Sequence, residues 1–356
     1  MKRNILTFLC GIGLVCSLWS CKSGDKEFPG YEGGSTVYFP YQYPVRTIVL
    51  GDDEYDVTQY DWNHKCQIKA TFGGLPSGYG GSNGSVTVAV DESLCDNLYF
   101  EDGITPVKAM PSSYYHLSTT TMNFNGTMNG TTEVQLTDAF FADPEAVTTT
   151  YVIPLVITSQ TGFGKILTGS FIEGQSGSRT DASIWDVKPM DYVLYCVKFQ
   201  NKYSGFWLTH GTTSTADIEH AQPKEIRSKS LNSCAYTVSY QSKWWKKEWN
   251  KTKNQWEEVE KDTILTADLH LVFDGSERCS ISSLTEGATA TGNGSWGDNS
   301  EKKAWGDKDR DGMELDYSLD FGEDIHNLPH KFSTHERMVW QRSGVNVQEF
   351  SPVYKQ

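Results

Sequence analysis

Tyr151-Val152-Ile153-Pro154-Leu155-Val156-Ile157 is the stretch that decides the fold. Apolar side chains occupy its odd and even positions alike, and in a strand these positions point to opposite faces. A strand that is apolar on both faces is typical of one buried between layers of a β structure. Because Pro154 has no backbone N–H, we expect a sheet edge or a bulge at this point.

Shorter runs of the same kind precede this stretch. Each run is rich in β-branched and aromatic residues and is bounded by Gly, Pro or Asn, which is the pattern of strands joined by turns. We therefore predict an Ig-like β-sandwich over residues 36–174. The runs are Thr36 to Phe39, Thr47 to Leu50, Cys66 to Phe72, Ser85 to Val90 and Glu133 to Thr137.

The composition changes after the sandwich. Residues 174–183 are mostly Gly, Ser and polar, which predicts a linker at 175–184. Beyond it, short runs without helical periodicity, starting with Tyr192 to Phe199, predict a second domain over 185–356. An antiparallel β-barrel, lipocalin-like in its Gly205-Phe206-Trp207 opening, and a second sandwich both fit this pattern. The fold class expected for the whole chain is all-β.

The N-terminus has the pattern of an exported lipoprotein. Lys2 and Arg3 precede an apolar run, and Leu18-Trp19-Ser20-Cys21 has the small residue and cysteine of a lipobox. We expect a lipoprotein signal peptide at 1–20, a lipid on Cys21 and a flexible tether over 21–35. The lipid anchor would then be the only contact of the chain with the membrane.

Charge and cysteine content indicate which partners and which covalent links to expect. The formal net charge is −14, so a phosphate backbone would be repelled, and we exclude nucleic acid as a partner. Of eight cysteines, five remain beyond Cys21, and none of them forms a CxxC pair. We expect mostly buried thiols. One disulfide remains an open alternative.

One segment combines many tryptophans with charged residues. Lys243-Trp244-Trp245-Lys246-Lys247-Glu248-Trp249 and the following residues as far as Trp256 and Glu257 have the pattern of a long hairpin. A turn at Thr252 to Lys253 would place Trp249 opposite Trp256, with Trp245 on the same face. Flat indoles can stack on the apolar C–H face of a sugar, so Trp245, Trp249 and Trp256 form a candidate glycan-binding site. Structural pairing of aromatics across the strands is the competing interpretation.

Other motifs are weaker. Asp307, Asp309 and Asp311 begin like a calcium loop, but position 12 is Ser318 rather than Glu, so a charged hairpin turn is favoured and calcium is the alternative. His326, His330 and His335 match no zinc spacing, and we expect solvated loop histidines. Gly80 to Gly84 matches Gly-x-Ser-x-Gly but precedes a strand instead of a helix. We therefore predict no catalytic residue and no cofactor.

Two blocks of the sequence resemble known families. The first, Glu133 to Asp138 with Tyr151 to Ser159, resembles a β-sandwich domain of unknown function in Bacteroidetes surface lipoproteins, shared with the N-terminus of a chitobiase-type endo-β-N-acetylglucosaminidase. The second, Arg310 to Tyr317 with Arg342 to Val345, resembles the barrel-like C-terminal domain that follows in such lipoproteins. The catalytic barrel of that enzyme takes about 250 residues, so only the non-catalytic module is shared.

The resemblance implies a function. Related lipoproteins belong to polysaccharide-utilisation systems, so we expect a lipid-anchored protein of the outer membrane, exposed on the cell surface. It would capture a polysaccharide or oligosaccharide without catalysis, beside other outer-membrane glycan-uptake proteins. The alternative is a structural, adhesive or transporter-accessory lipoprotein that binds protein partners.

Overall fold

The computed structural model describes residues 34–53, 58–74, 81–214, 217–219 and 223–355. The predicted signal peptide, Cys21 and nearly all of the tether lie outside these residues. No helix in the described ranges is long and apolar enough to cross a membrane. The architecture is all-β, as predicted, and the α-helices of the described residues are short: α1 (Gln59–Trp62) and α2 (Asp138–Ala142).

The N-terminal half is a β-sandwich of two sheets. Their order is β11-β1-β3-β9-β7 in one sheet and β24-β2-β14-β10-β4-β8 in the other, where β6 also pairs with β10 and β24 is Gln348–Glu349 from the end of the chain. Side chains such as Ile68, Val134, Ile153 and Val193 meet in one buried core between them. The strands are β1 (Thr36–Tyr38), β2 (Pro44–Val49), β3 (Lys65–Gly73), β4 (Ser85–Val90), β5 (Leu98–Tyr99), β6 (Lys108–Ala109), β7 (Tyr115–Leu117), β8 (Thr121–Asn123), β9 (Asn129–Leu136), β10 (Tyr151–Thr161), β11 (Lys165–Ile166), β12 (Ser170–Phe171), β13 (Trp185–Val187) and β14 (Tyr192–Gln200).

Strand β10, which holds the deciding stretch, lies in the interior of its sheet. It pairs with β14 on one side, and on the other side β6 pairs with Tyr151 and Val152 and β4 pairs from Leu155 onward. Pro154 falls in the gap between β6 and β4, where its missing N–H removes no ladder hydrogen bond. It is therefore neither at a sheet edge nor in the bulge, which occurs between Ile157 and Ser159.

The β-sandwich extends beyond residue 174, where the composition predicts its end. Strand β14 (Tyr192–Gln200), expected to open the second domain, pairs with β10 and β2 inside the sandwich. Its odd and even positions both bury apolar side chains, so it needs cover on two faces. The polar stretch at 175–184 is thus a loop between β12 and β13, which pair with each other.

The end of the chain also returns to the sandwich. Strand β24 (Gln348–Glu349) pairs with β2, and β25 (Val353–Tyr354) pairs with β5. Between them, Phe350 packs edge-on against Tyr43 and Phe100, with ring centroids 5.4 and 5.2 Å apart. This segment covers the outer face of the sheet, where Cys196 is fully buried. All five cysteines in the described ranges are free thiols.

The second domain is a closed antiparallel barrel. The strands follow the order β16-β15-β17-β18-β19-β20-β21-β22-β23, and β23 pairs back onto β15, which closes eight of them into a ring. The pairing decides between the two predicted alternatives in favour of the barrel. The strands are β15 (Gly205–Thr213), β16 (Asp217–Glu219), β17 (Lys224–Ser230), β18 (Ser233–Asn250), β19 (Gln255–Phe273), β20 (Arg278–Ser283), β21 (Thr289–Trp305), β22 (Lys308–Glu323) and β23 (Pro329–Arg342).

Large side chains fill the barrel interior. Trp207 is completely buried, and Leu269, Met338 and Trp340 pack in the same cluster. Glu336 also points inward and accepts hydrogen bonds from the hydroxyls of two buried tyrosines, Tyr236 at 2.9 Å and Tyr317 at 3.0 Å. Burial raises the pKa of Glu336 despite these bonds. The interior is therefore a core, as in barrels of this strand number whose side chains fill the lumen.

The position of Phe350 yields a first prediction. Phe350→Ala should expose the outer face of the sandwich sheet, because Phe350 covers the cluster that contains Cys196. We expect a loss of about 3–5 kcal/mol in sandwich stability and much faster labelling of the Cys196 thiol. Thiol labelling followed by mass spectrometry measures the labelling rate of a cysteine in each domain in one experiment. Cys234 of the barrel is the internal control. Equal acceleration at Cys196 and Cys234, or none at either, would contradict the assignment of residues 348–354 to the sandwich.

Candidate functional site

Strands β18 and β19 extend well beyond the barrel wall. They pair with each other along their whole length, from Ser233 opposite Val272 to Asn250 opposite Gln255. However, β17 accompanies β18 only as far as Tyr236, and β20 accompanies β19 only from Leu269. Residues 241–250 and 255–264 therefore form a two-stranded ribbon that projects from the barrel, and we call them the ribbon.

Two tryptophans face each other near the tip of the ribbon. Trp249 pairs with Trp256 at the register that the spacing predicts. Their rings meet edge to face, with centroids 5.6 Å apart, which is a favourable aromatic geometry. Trp249 is 44% and Trp256 65% exposed. What distinguishes the two rings from other exposed apolar side chains, such as Trp62 at 52%, is that they adjoin and form one aromatic patch.

Trp245 lies on the same ribbon face but has a cover. Its ring stacks on His326, with centroids 4.7 Å apart. His326 in turn shares a hydrogen bond with Glu258 across 3.1 Å, and Lys247 lies 3.8 Å from the same carboxylate. The hydrogen bond with His326 is the largest factor that lowers the pKa of Glu258. The ribbon face therefore has aromatic rings toward both ends and a charged group between them.

On the opposite face of the ribbon, a histidine also stacks on a tryptophan. Trp244 stacks on His330, with centroids 4.3 Å apart, and His330 Nδ1 is 2.9 Å from the hydroxyl of Ser242. His330 is buried, so the expectation of solvated loop histidines is wrong for this residue. His335 is exposed as expected, but it lies on β23 and not in a loop. The β22–β23 loop and the start of β23 thus place one histidine on each of two consecutive tryptophans. We call residues 324–330 the clasp.

Asp324 fixes the clasp to the ribbon. One of its carboxylate oxygens accepts from the backbone N–H of Trp245 at 3.2 Å. The other accepts from the N–H groups of His326 at 2.8 Å and Leu328 at 3.2 Å. Burial acts to raise the pKa of Asp324, but these backbone donors outweigh it and hold the pKa below its ordinary value. A charged carboxylate thus joins the loop to the base of the ribbon.

The ribbon's other charges are balanced. Its glutamates pair with lysines, as in Glu248 with Lys261 and Lys246, and Glu257 with Lys253 at 2.8 Å. Lys253, Asn250 and Gln255 together lower the pKa of Glu257 to about 2. These ionised carboxylates differ from the acid of a glycosidase, whose pKa must be raised to deliver a proton.

The calcium candidates have other roles. Asp309 forms an ion pair with Lys302 at 2.9 Å, and Asp311 is buried and accepts from the backbone of Asn299 at 2.8 Å. Burial is the main cause that raises the pKa of Asp311 to about 6. Among the residues with assigned positions, no group of three or more His, Cys, Asp or Glu side chains could hold a metal ion. The carboxylates of Asp309 and Asp311 therefore have separate protein partners in this structure.

Gly80 of the hydrolase motif lies outside the described residues, and the rest of the motif immediately precedes a strand. Ser82 pairs with Thr127 in an isolated bridge, and its hydroxyl accepts from the N–H of Gly84 at 2.9 Å. Strand β4 follows at Ser85, whereas a nucleophile elbow leads into a helix. Ser82 is therefore held as a turn residue.

Models of known protein families match both halves of the chain. A family model described as "Domain of unknown function (DUF5627)" matches residues 202–344, which contain the barrel. Another, described as a "-like, N-terminal domain", matches residues 31–164. No curated protein matches the chain.

Solved structures give a whole-chain match. A crystal structure from Bacteroides ovatus, described as structural genomics of unknown function, is 32% identical with a TM-score of 0.73, over 90% of this chain and 99% of that one. A multidomain protein including DUF1735, also from Bacteroides ovatus, is 11% identical with a TM-score of 0.38, over 86% of this chain and 93% of that one.

The clasp yields the second prediction. Asp324→Ala removes the acceptor of three backbone N–H groups, so the clasp should separate from the ribbon. We expect hydrogen exchange on the order of tenfold faster or more at the amides of Trp245, His326 and Leu328. Asp324→Asn keeps one acceptor oxygen and should show a smaller change. Wild-type exchange at all three amides in the alanine variant would show that the carboxylate does not hold the clasp.

Proposed function

This chain belongs to the family of the Bacteroides ovatus protein of unknown function, and we propose that it is a non-catalytic glycan-binding protein whose ribbon contacts the sugar. The single observation that supports the proposal is the exposed pair of Trp249 and Trp256, held edge to face on a ribbon outside the barrel. Sugar rings offer an apolar C–H face that stacks on an indole.

The surroundings of the pair suit a polar ligand with apolar faces. Lys247 and Glu258 lie on the same ribbon face and can hydrogen-bond to hydroxyl groups of a ring that rests on the indoles. Trp245 offers a further aromatic surface four residues away along the strand, which is about 13 Å. Because His326 covers one face of Trp245, we assign the main contacts to Trp249 and Trp256 and a supporting contact to Trp245.

The N-terminal sequence adds a location to the proposal. A lipid on Cys21 and the tether over 21–35 would hold the two domains at the outer membrane, facing the cell exterior. Many copies on one surface gain avidity on a polymeric ligand, so weak individual sites are sufficient. In this setting the protein would present a polysaccharide or oligosaccharide to outer-membrane glycan-uptake proteins.

The third prediction tests the ribbon as the site. Trp249→Ala and Trp256→Ala should each weaken retention on polysaccharide-containing gels about tenfold, because each removes a stacking surface worth roughly 1–2 kcal/mol. Affinity electrophoresis on a panel of neutral polysaccharides gives the measurement. Trp62→Ala is the matched control, since Trp62 is also 52% exposed but lies on α1 of the sandwich.

Two results would count against the ribbon. Unchanged retention of both ribbon variants, on a gel that retards the wild type, would place sugar binding elsewhere. No retention of the wild type on any gel would favour the alternative, a surface protein whose ribbon binds a protein partner.

A further inference from the structure

A groove of about 490 Å³ runs between the sandwich and the barrel. Thr47 and Lys198, which are paired in register on β2 and β14, line the sandwich side. The outward face of β17 lines the barrel side, and the connecting segment 343–348 closes one end. Grooves at domain interfaces are common sites for small ligands, and none of these residues belongs to the ribbon.

Lys198 is the cationic residue on the sandwich wall of the groove. Its side chain is half-buried, and its ammonium group contacts the amide oxygen of Gln348 at 3.4 Å. In the part of the chain with described coordinates, it forms no ion pair with a carboxylate. The bond to Gln348 is exposed, so the buried part of the side chain is its stem, and an ammonium group whose contact is a neutral acceptor can still pair with an anionic ligand.

The charge around Lys198 has the same sign. Arg227 and Lys229 stand on the β17 wall, with Glu225 as the one acidic residue lining the groove. Arg227 donates to Thr237 at 3.1 Å and forms an ion pair with Asp268 at 3.4 Å, so its charge is largely balanced. The cationic excess of the groove therefore comes from Lys198 and Lys229 against Glu225. A local cationic excess in a chain of net charge −14 attracts anions to this groove in particular.

The remaining lining suits a sugar. Gln348 and the exposed Asn346 supply amide groups, and Gln200 and Thr47 add polar groups on the sandwich side. The ring of Phe206, which carries Arg342 on one face at 4.2 Å, provides a flat apolar surface. We propose that this groove is a second binding site, for an acidic saccharide whose carboxylate or sulfate pairs with Lys198.

The groove site is independent of the ribbon, so its test separates the two. Isothermal titration of the full protein uses tetragalacturonate as the carboxylated probe, a heparin-derived hexasaccharide as the sulfated probe and maltotetraose as the neutral control. We expect one charged probe to bind, more weakly at high salt. Lys198→Met should weaken this binding at least about tenfold, and Lys198→Arg should retain most of it. Binding of the charged probe should persist in Trp249→Ala, which removes the ribbon contact.

The matched control is Lys331→Met, since Lys331 is exposed on the outside of β23. A second measurement requires no variant: the bound probe should slow acetylation of Lys198 in the wild type but leave that of Lys331 unchanged. The proposal is overturned if neither charged probe binds, if Lys198→Met binds like the wild type, or if Lys198 is acetylated at the same rate with and without probe.

Discussion

The pairing of β15 with β23 is the constraint on which the barrel and its surface features depend. From Trp207 opposite Trp340 to Thr213 opposite Thr334, this ladder joins the first and last strands of the barrel. Closure leaves no free edge in the ring and directs every second side chain inward. Because those side chains include two tryptophans and several tyrosines, the interior is filled, and contacts with other molecules are left to the outside.

The outside carries two different surfaces. The ribbon is formed where β18 and β19 extend beyond the strands that flank them. The clasp contacts its base through Asp324 and two histidines. The groove is formed where the connecting segment 343–348 leaves the barrel and returns to the sandwich. One surface is aromatic and charge-balanced, and the other is cationic, so they suit ligands of different charge.

The sequence predicts well what depends on neighbouring residues. The uninterrupted apolar run from Tyr151 to Ile157 predicts a strand buried on both faces, and the spacing of Trp249 and Trp256 predicts their cross-strand pairing. Features that join distant residues were not predictable. The composition of the polar stretch at 175–184 is that of a linker. Only the pairing of β14 with strands about 40 and 150 residues earlier shows that the sandwich continues beyond it. Burial of His330 depends on Trp244, and the groove joins Thr47, Lys198 and Gln348, which no local pattern relates.

If the ribbon is the binding site, as we propose, sugar binds outside the barrel and not within its lumen. Indole N–H signals in a nitrogen-labelled sample test it directly, because each tryptophan gives its own resonance during titration with a neutral oligosaccharide taken from a retarding polysaccharide. The account predicts shifts for Trp249 and Trp256 and unchanged signals for Trp207 and Trp340, which are buried in the barrel. Shifts at Trp207 and Trp340 without shifts on the ribbon would contradict it.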